Sequence, residues 1–214
     1  MIQRQATLKI MLASLLPQVD RAHVNVNGYG PGTLPDFLEH KKIWVTHHDN
    51  SIEDRAKFYN AERNDGLTLI VDDDIEYPPD FVEYMTRKHE LHGGIVTIMG
   101  KILKPRPIKS YFKDEIIHYK TFEAVTEDVI VEIPGMCGAL YGLEVQFHVE
   151  DAKIHNSDIA VGVYARKRGL VCTVVAHPAN YVKNLMPMVS DSPSMFGKYC
   201  KDDGALTEYV NEHL

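Results

Sequence analysis

Cysteine is scarce in this chain. Cys137, Cys172 and Cys200 stand far apart, and no CxxC pair occurs. An odd number without that spacing excludes a disulfide framework and reads as free thiols in a reducing compartment. Long apolar runs are also missing. None reaches the roughly 18 residues that a membrane-crossing helix requires. The opening MIQRQATLKIMLASLLPQV is not a secretory leader, because Gln, Arg and Lys interrupt its apolar residues at helical spacing. No repeat and no low-complexity tract is present. Positive charge is in deficit, with 23 Lys and Arg against 30 Asp and Glu, a net −7 with His neutral. That balance argues against tight non-specific binding to nucleic acid, which needs a basic face. Two local basic clusters remain, RKHELH at 87–92 and YARKRG at 164–169. The expectation is a soluble, cytoplasmic protein, with peripheral membrane contact left open.

The 214 residues suffice for one large domain with a sizeable core. Apolar residues make up 44% and charged ones 25%, a globular balance. Leu8, Met11, Leu12, Leu15 and Leu16 share one face of a predicted helix over 4–18. Strands are predicted at 22–30 and 41–48, then a helix over 50–66 closing on Gly66. The run 67–73 is a mostly apolar strand of the kind found at the centre of a parallel sheet. A helix from Pro79 to about Leu91 follows, then a strand at 95–100. An antiparallel ribbon is expected around EIIHYKTF. Residues 128–142 read as strand, glycine-containing loop and short strand. A helix over 156–170 ends on Gly169, with Asn156 a candidate cap, and 171–177 is a late buried strand. The tail, 181–214, is polar with a terminal helix packing on the same domain. Alternating strand and helix predict an α/β sandwich with a mostly parallel central sheet and a small antiparallel ribbon. Ligands of such sheets bind at the carboxyl ends of the strands.

One such end is LTLIVDDDIEYPPDF, Leu67–Phe81, where the apolar strand runs into Asp72, Asp73 and Asp74. Three adjacent carboxylates repel one another, so a positive partner is expected. A hard divalent cation takes one or two carboxylates and fills its shell with water and phosphate oxygens. The plain structural reading is a solvated acidic turn ahead of the helix at Pro79.

IVDDDIEYPPDFVEYM resembles the metal-binding strand end of GT-A-fold, family-two-like glycosyltransferases of bacterial and phage origin. LKIMLASLLPQVDRAHVNVNGYG, DRAKFYNAERNDGLTLIVDDD, IPGMCGALYG and HNSDIAVGVYARKRGLVCTVVAHP fall in the family's order, so the resemblance spans roughly residues 4–180. It implies a Rossmann-like three-layer sandwich, with a donor half over about 1–100 and an acceptor half over about 101–180. It implies Asp72 and Asp74 as ligands of Mn2+ or Mg2+, Asp73 on the donor ribose or sugar, and His177 as a further ligand. Asp158 would be the general base of an inverting transfer, the plain reading being an acid favouring a helix N-terminus. Asp54, Arg55 and Lys57 would border the donor pocket, the alternative being a solvated helix face. Gly135, Met136, Cys137 and Gly138 would form the acceptor-side loop, the alternative being a tight turn. Cys137 itself lacks a histidine at nucleophile spacing.

The implied activity is transfer of a sugar from a UDP- or GDP-linked donor to an acceptor hydroxyl. A surface glycan is the favoured acceptor, and a modified DNA base is disfavoured by the net charge. Only MIQ precedes the first helix, where the family's usual first β-strand is expected: either the chain is shortened, or its true start lies upstream, or the sheet lacks that strand. A missing strand implies a gap beside the central strands which a second copy of the chain could cover. Two other classes stay open. One is a catalytically impaired sugar-nucleotide-binding or scaffold protein. The other is an aspartate-nucleophile phosphohydrolase, although there the acidic pair belongs on the first strand and Glu76 holds a place where Thr or Val is expected.

Overall fold

The computed structural model describes residues 4–27, 29, 32–48, 50–59, 61, 65–104, 106–113, 116–188 and 202–214. Helix α1 (Gln5–Leu15) turns Leu8, Met11, Leu12 and Leu15 inward at the predicted three- and four-residue spacing. β1 (Ala22–Asn27) and β2 (Ile43–His48) pair in parallel, from Ala22 with Ile43 to Asn27 with His48. After them come β3 (Thr68–Ile70), β4 (Ile75–Glu76), α2 (Phe81–His92), β5 (Ile95–Thr97) and β6 (Gly100–Ile102). Then follow β7 (Ile117–Tyr119), β8 (Val129–Ile130), β9 (Ile133–Pro134), β10 (Ala139–Tyr141), α3 (Ser157–Arg168), β11 (Cys172–Val174), β12 (Lys183–Asn184) and α4 (Gly204–His213).

The main sheet has five strands in the order β3-β10-β5-β11-β8. β3, β5 and β11 share one direction, while β10 and β8 oppose it. The sheet is therefore mixed, and β5 with β11 is its one parallel neighbour pair. The expectation of a mostly parallel sheet holds for the direction of β3, β5 and β11, but β10 is inserted between two of them. Val96 and Leu140 join the core beneath α1 and α2. Ile95, Ala139, Tyr141, Cys172 and Val174 join the core beneath α3. Successive strand residues thus serve opposite faces, which makes three layers. A third cluster packs α4 through Leu206 and Val210 against Ile159 and Val163 of α3. The antiparallel ribbon is β7-β6-β9. Among the described residues β1 and β2 pair only with each other, so the ladder breaks between them and β3.

α3 starts and stops where its caps dictate. Asn156 Oδ1 accepts the Ile159 N–H at 3.0 Å, and Gly169 closes the helix at φ +66°. The helix expected over 50–66 is not found. Its described part is a 3-10 stretch, Asn50–Phe58, kinked at Glu53 with φ 47°. The cause is tertiary: Asp54, Arg55 and Lys57 each reach a different distant partner, and a regular helix face would not aim them so. Residues 60 and 62–64 of that stretch lie outside the described residues, as does Cys200.

Candidate functional site

The acidic turn leaves β3 at the edge where β5 and β11 also end and β10 begins. Two cations of the chain itself meet its three carboxylates. Lys57 Nζ donates to Asp72 Oδ1 at 2.6 Å. Arg4 Nη1 donates to Asp73 Oδ1 at 2.7 Å and to Asp74 Oδ2 at 3.2 Å. The aspartate side chains remain 34%, 30% and 18% exposed in chain order, so their free oxygens reach solvent. Burial pushes the Asp74 carboxyl up to about 6, Asp72 and Asp73 push it the same way, and Arg4 and Lys57 oppose them. Tyr77 braces the turn from below. Its hydroxyl donates to the Cys137 carbonyl at 2.6 Å and lies 3.4 Å from the Asp72 N–H.

Lys57 links this turn to α3. Burial works against its ammonium, but Asp72, Asp54 and Asp158 together outweigh burial and hold the amine above its usual range. Asp54 Oδ2 accepts the Ser157 N–H at 2.8 Å, fastening the 3-10 stretch to the start of α3. One residue on, Asp158 turns toward the loop after β9 and accepts the Met136 N–H at 2.9 Å. Because Asn156 already caps the helix, Asp158 is free for another task. Burial pushes its carboxyl up to about 6; Lys57, the Met136 N–H and Lys101 pull down and Asp72 pushes further up. A carboxyl held near neutrality is a competent proton acceptor.

The remaining predicted residues divide. Asp73 faces Arg4, as described. Arg55 points away from the turn, donating to the Ala152 carbonyl at 3.2 Å. Its guanidinium is engaged at Ala152 and His155, whereas Lys57, two residues on, reaches Asp72. His177 is buried, and its Nδ1 donates to the Val175 carbonyl at 2.8 Å. Among the described residues its Nε2 has no partner. Among the described residues no group of three His, Cys, Asp or Glu that could hold a metal ion is brought together. His177 is turned into the fold by its short bond to Val175. The oxygen donors at the turn suit a hard cation, but an incoming ion must compete with Arg4 and Lys57.

Gly135, Met136, Cys137 and Gly138 are all buried. A Cβ on Gly135 would meet Met99 Cε at 2.2 Å, and one on Gly138 would meet Ile98 Cδ1 at 3.0 Å. Both glycines make room for neighbouring side chains, Met99 at Gly135 and Ile98 at Gly138. The Met136 N–H reaches Asp158, and the Cys137 carbonyl reaches Tyr77. Burial pushes the Cys137 thiol up to about 12, which removes it as a nucleophile.

Arg4, Tyr77 and Lys101 belong to the site, and Arg4 and Lys101 carry no local signal. Arg4 acts across 69 and 70 residues of sequence. Tyr77 had one weak cue, an aromatic between the acidic turn and two prolines. Lys101 Nζ lies 3.8 Å from the Tyr111 ring centre, and burial lowers its pKa while Asp158 raises it. Among the described residues no helix is long and apolar enough to cross a membrane. No protein-family model and no curated protein sequence matches the chain.

Proposed function

We propose that the chain is a GT-A-like, nucleotide-sugar-dependent glycosyltransferase of inverting mechanism. The observation that carries this reading is Asp158: a carboxyl raised to about 6, not used as a helix cap, and coupled through Lys57 to the acidic turn. The three-layer arrangement and the shared direction of β3, β5 and β11 support it. In this reading the donor diphosphate sits over Asp72–Asp74, with Lys57 and Arg4 as the cations facing it. Asp158 takes the proton of the acceptor hydroxyl as that oxygen attacks the anomeric carbon. The Met136 N–H holds the carboxylate in place. A bound Mn2+ or Mg2+ would supply Lewis-acid neutralisation of the leaving diphosphate, held by oxygens of Asp72 and Asp74.

One observation favours a second reading. Arg4 and Lys57 already neutralise much of the turn. A chain so compensated could bind a sugar nucleotide without turning it over. Calorimetry with UDP and GDP, with and without Mn2+, joined to a donor-hydrolysis panel, separates the two. Metal-dependent binding lost in Asp74→Ala, with hydrolysis lost in Asp158→Asn, supports the transferase. Binding without hydrolysis of any donor supports the second reading. No binding of either nucleotide overturns both.

A further inference from the structure

The two basic clusters noted in the sequence have no part in the acidic site. α2 and α3 both run away from that edge, so their carboxyl ends bring RKHELH and YARKRG to the opposite end of the sheet. Four exposed apolar residues gather there: Leu67 at 45% exposure, Leu143 at 59%, Leu91 at 70% and Val171 at 42%. Register makes them neighbours. Tyr141 pairs with Thr68 on one side and Ile95 on the other, and Ile95 pairs with Cys172. One residue further out stand Leu67, Gly142, Gly94 and Val171. Leu143 follows Gly142, and Leu91 is near the end of α2.

The ends touch directly. The Ile95 N–H donates to the Val171 carbonyl at 2.9 Å, and a Cβ on Gly94 would stand 2.3 Å from that oxygen. His89 lies 2.9 Å from Glu144 Oε1. The row crosses three strand spacings, roughly 14 Å.

Charge along this row is polarised. Beside β3 and β10 stand the exposed Asp65 and Glu144. Beside β11 stand the exposed Lys167 and Arg168, with Arg166 bonded to the Leu214 carbonyl. On α2 the exposed Arg87 and Glu90 have opposite signs. An apolar row with an acidic corner and a basic corner is complementary to its own copy turned by half a turn. An anionic lipid surface would meet the acidic corner unfavourably.

We propose that this end of the sheet is where two copies of the chain pair about a twofold axis. Leu67 and Leu143 of one copy lie toward Val171 of the second, and Asp65 faces Lys167. The acidic site stays open at the far end of each copy. The test is sedimentation velocity and light scattering on the full chain up to about 100 µM, a range that detects weak pairing. The expected mass is twice the 24.3 kDa of one chain. Leu91→Glu, at an exposed position where folding is unaffected by circular dichroism, raises the dissociation constant at least tenfold. Asp65→Lys and Lys167→Glu each weaken pairing, and the double exchange restores it. A wild-type monomer across the range overturns the proposal. So does a dimer indifferent to Leu91→Glu, failure of the double exchange to recover pairing, or a monomer that instead binds anionic vesicles.

Discussion

Asp158→Asn separates a base from an ordinary acid at a helix start. The wild-type carboxyl is raised from 3.8 to about 6 in the folded chain. A folded-state value above the unfolded one means that the folded chain holds the proton more tightly. The stabilisation from this group is complete below pH 3.8 and is lost as pH rises through 6. By linkage the carboxyl destabilises the fold by about 3 kcal/mol at pH 8, where it is ionised, and by well under ~1 kcal/mol at pH 4, where it is protonated. Asparagine keeps an oxygen for the Met136 N–H and is neutral at both pH values. The pull of Lys57 is already contained in the rise to about 6; burying the amide's NH2 group costs part of the gain, which leaves a net of about 1–3 kcal/mol at pH 8. Urea unfolding followed by far-ultraviolet circular dichroism at pH 4 and pH 8 measures the difference. The variant should be the more stable chain at pH 8 and nearly equal at pH 4, while donor turnover disappears. Equal shifts at the two pH values, or a less stable variant at pH 8, refute the argument. Either result would mean that Asp158 is stabilised by its surroundings in the ionised form and is not poised as an acceptor.

Two other substitutions test the frame around it. Arg4→Met frees oxygens of Asp73 and Asp74, and Mn2+ affinity by calorimetry should rise by about 1 kcal/mol, roughly fivefold; an unchanged affinity means that the ion does not enter between these carboxylates. Tyr77→Phe leaves the buried Cys137 carbonyl without its donor, and urea unfolding should show a loss of about 1–3 kcal/mol with an unchanged slope; a variant as stable as wild type means that water replaces the hydroxyl.

Local chemistry made much of the fold legible. The Leu8, Met11, Leu12 and Leu15 stripe specifies α1 by period alone, and Asn156 and Gly169 bound α3 by their capping chemistry. What stayed hidden depends on partners distant in sequence. β10 is buried on both faces, so Ala139–Tyr141 reads the same whichever way it runs, and its reversal between β3 and β5 leaves no mark in its residues. The stretch at 50–58 has a helical composition, but Asp54, whose partner is Ser157, and Lys57, whose partner is Asp72, pull against one helical face. His177 looks like a strand-end ligand by position, yet the carbonyl two residues before it claims its Nδ1.

The three aspartates were legible as a group in need of positive charge; the identity of that charge was not. Among the described residues the three carboxylates meet two cations, Arg4 and Lys57, and Lys57 is shared with Asp54 and Asp158. Asp74 is the least exposed of the three and holds the longer of the two bonds to Arg4. Negative charge should therefore be least tolerated on Asp74, which agrees with its rise to about 6, burial being the largest cause. A cation entering the turn gains most by relieving Asp74, and Arg4 is what it must move.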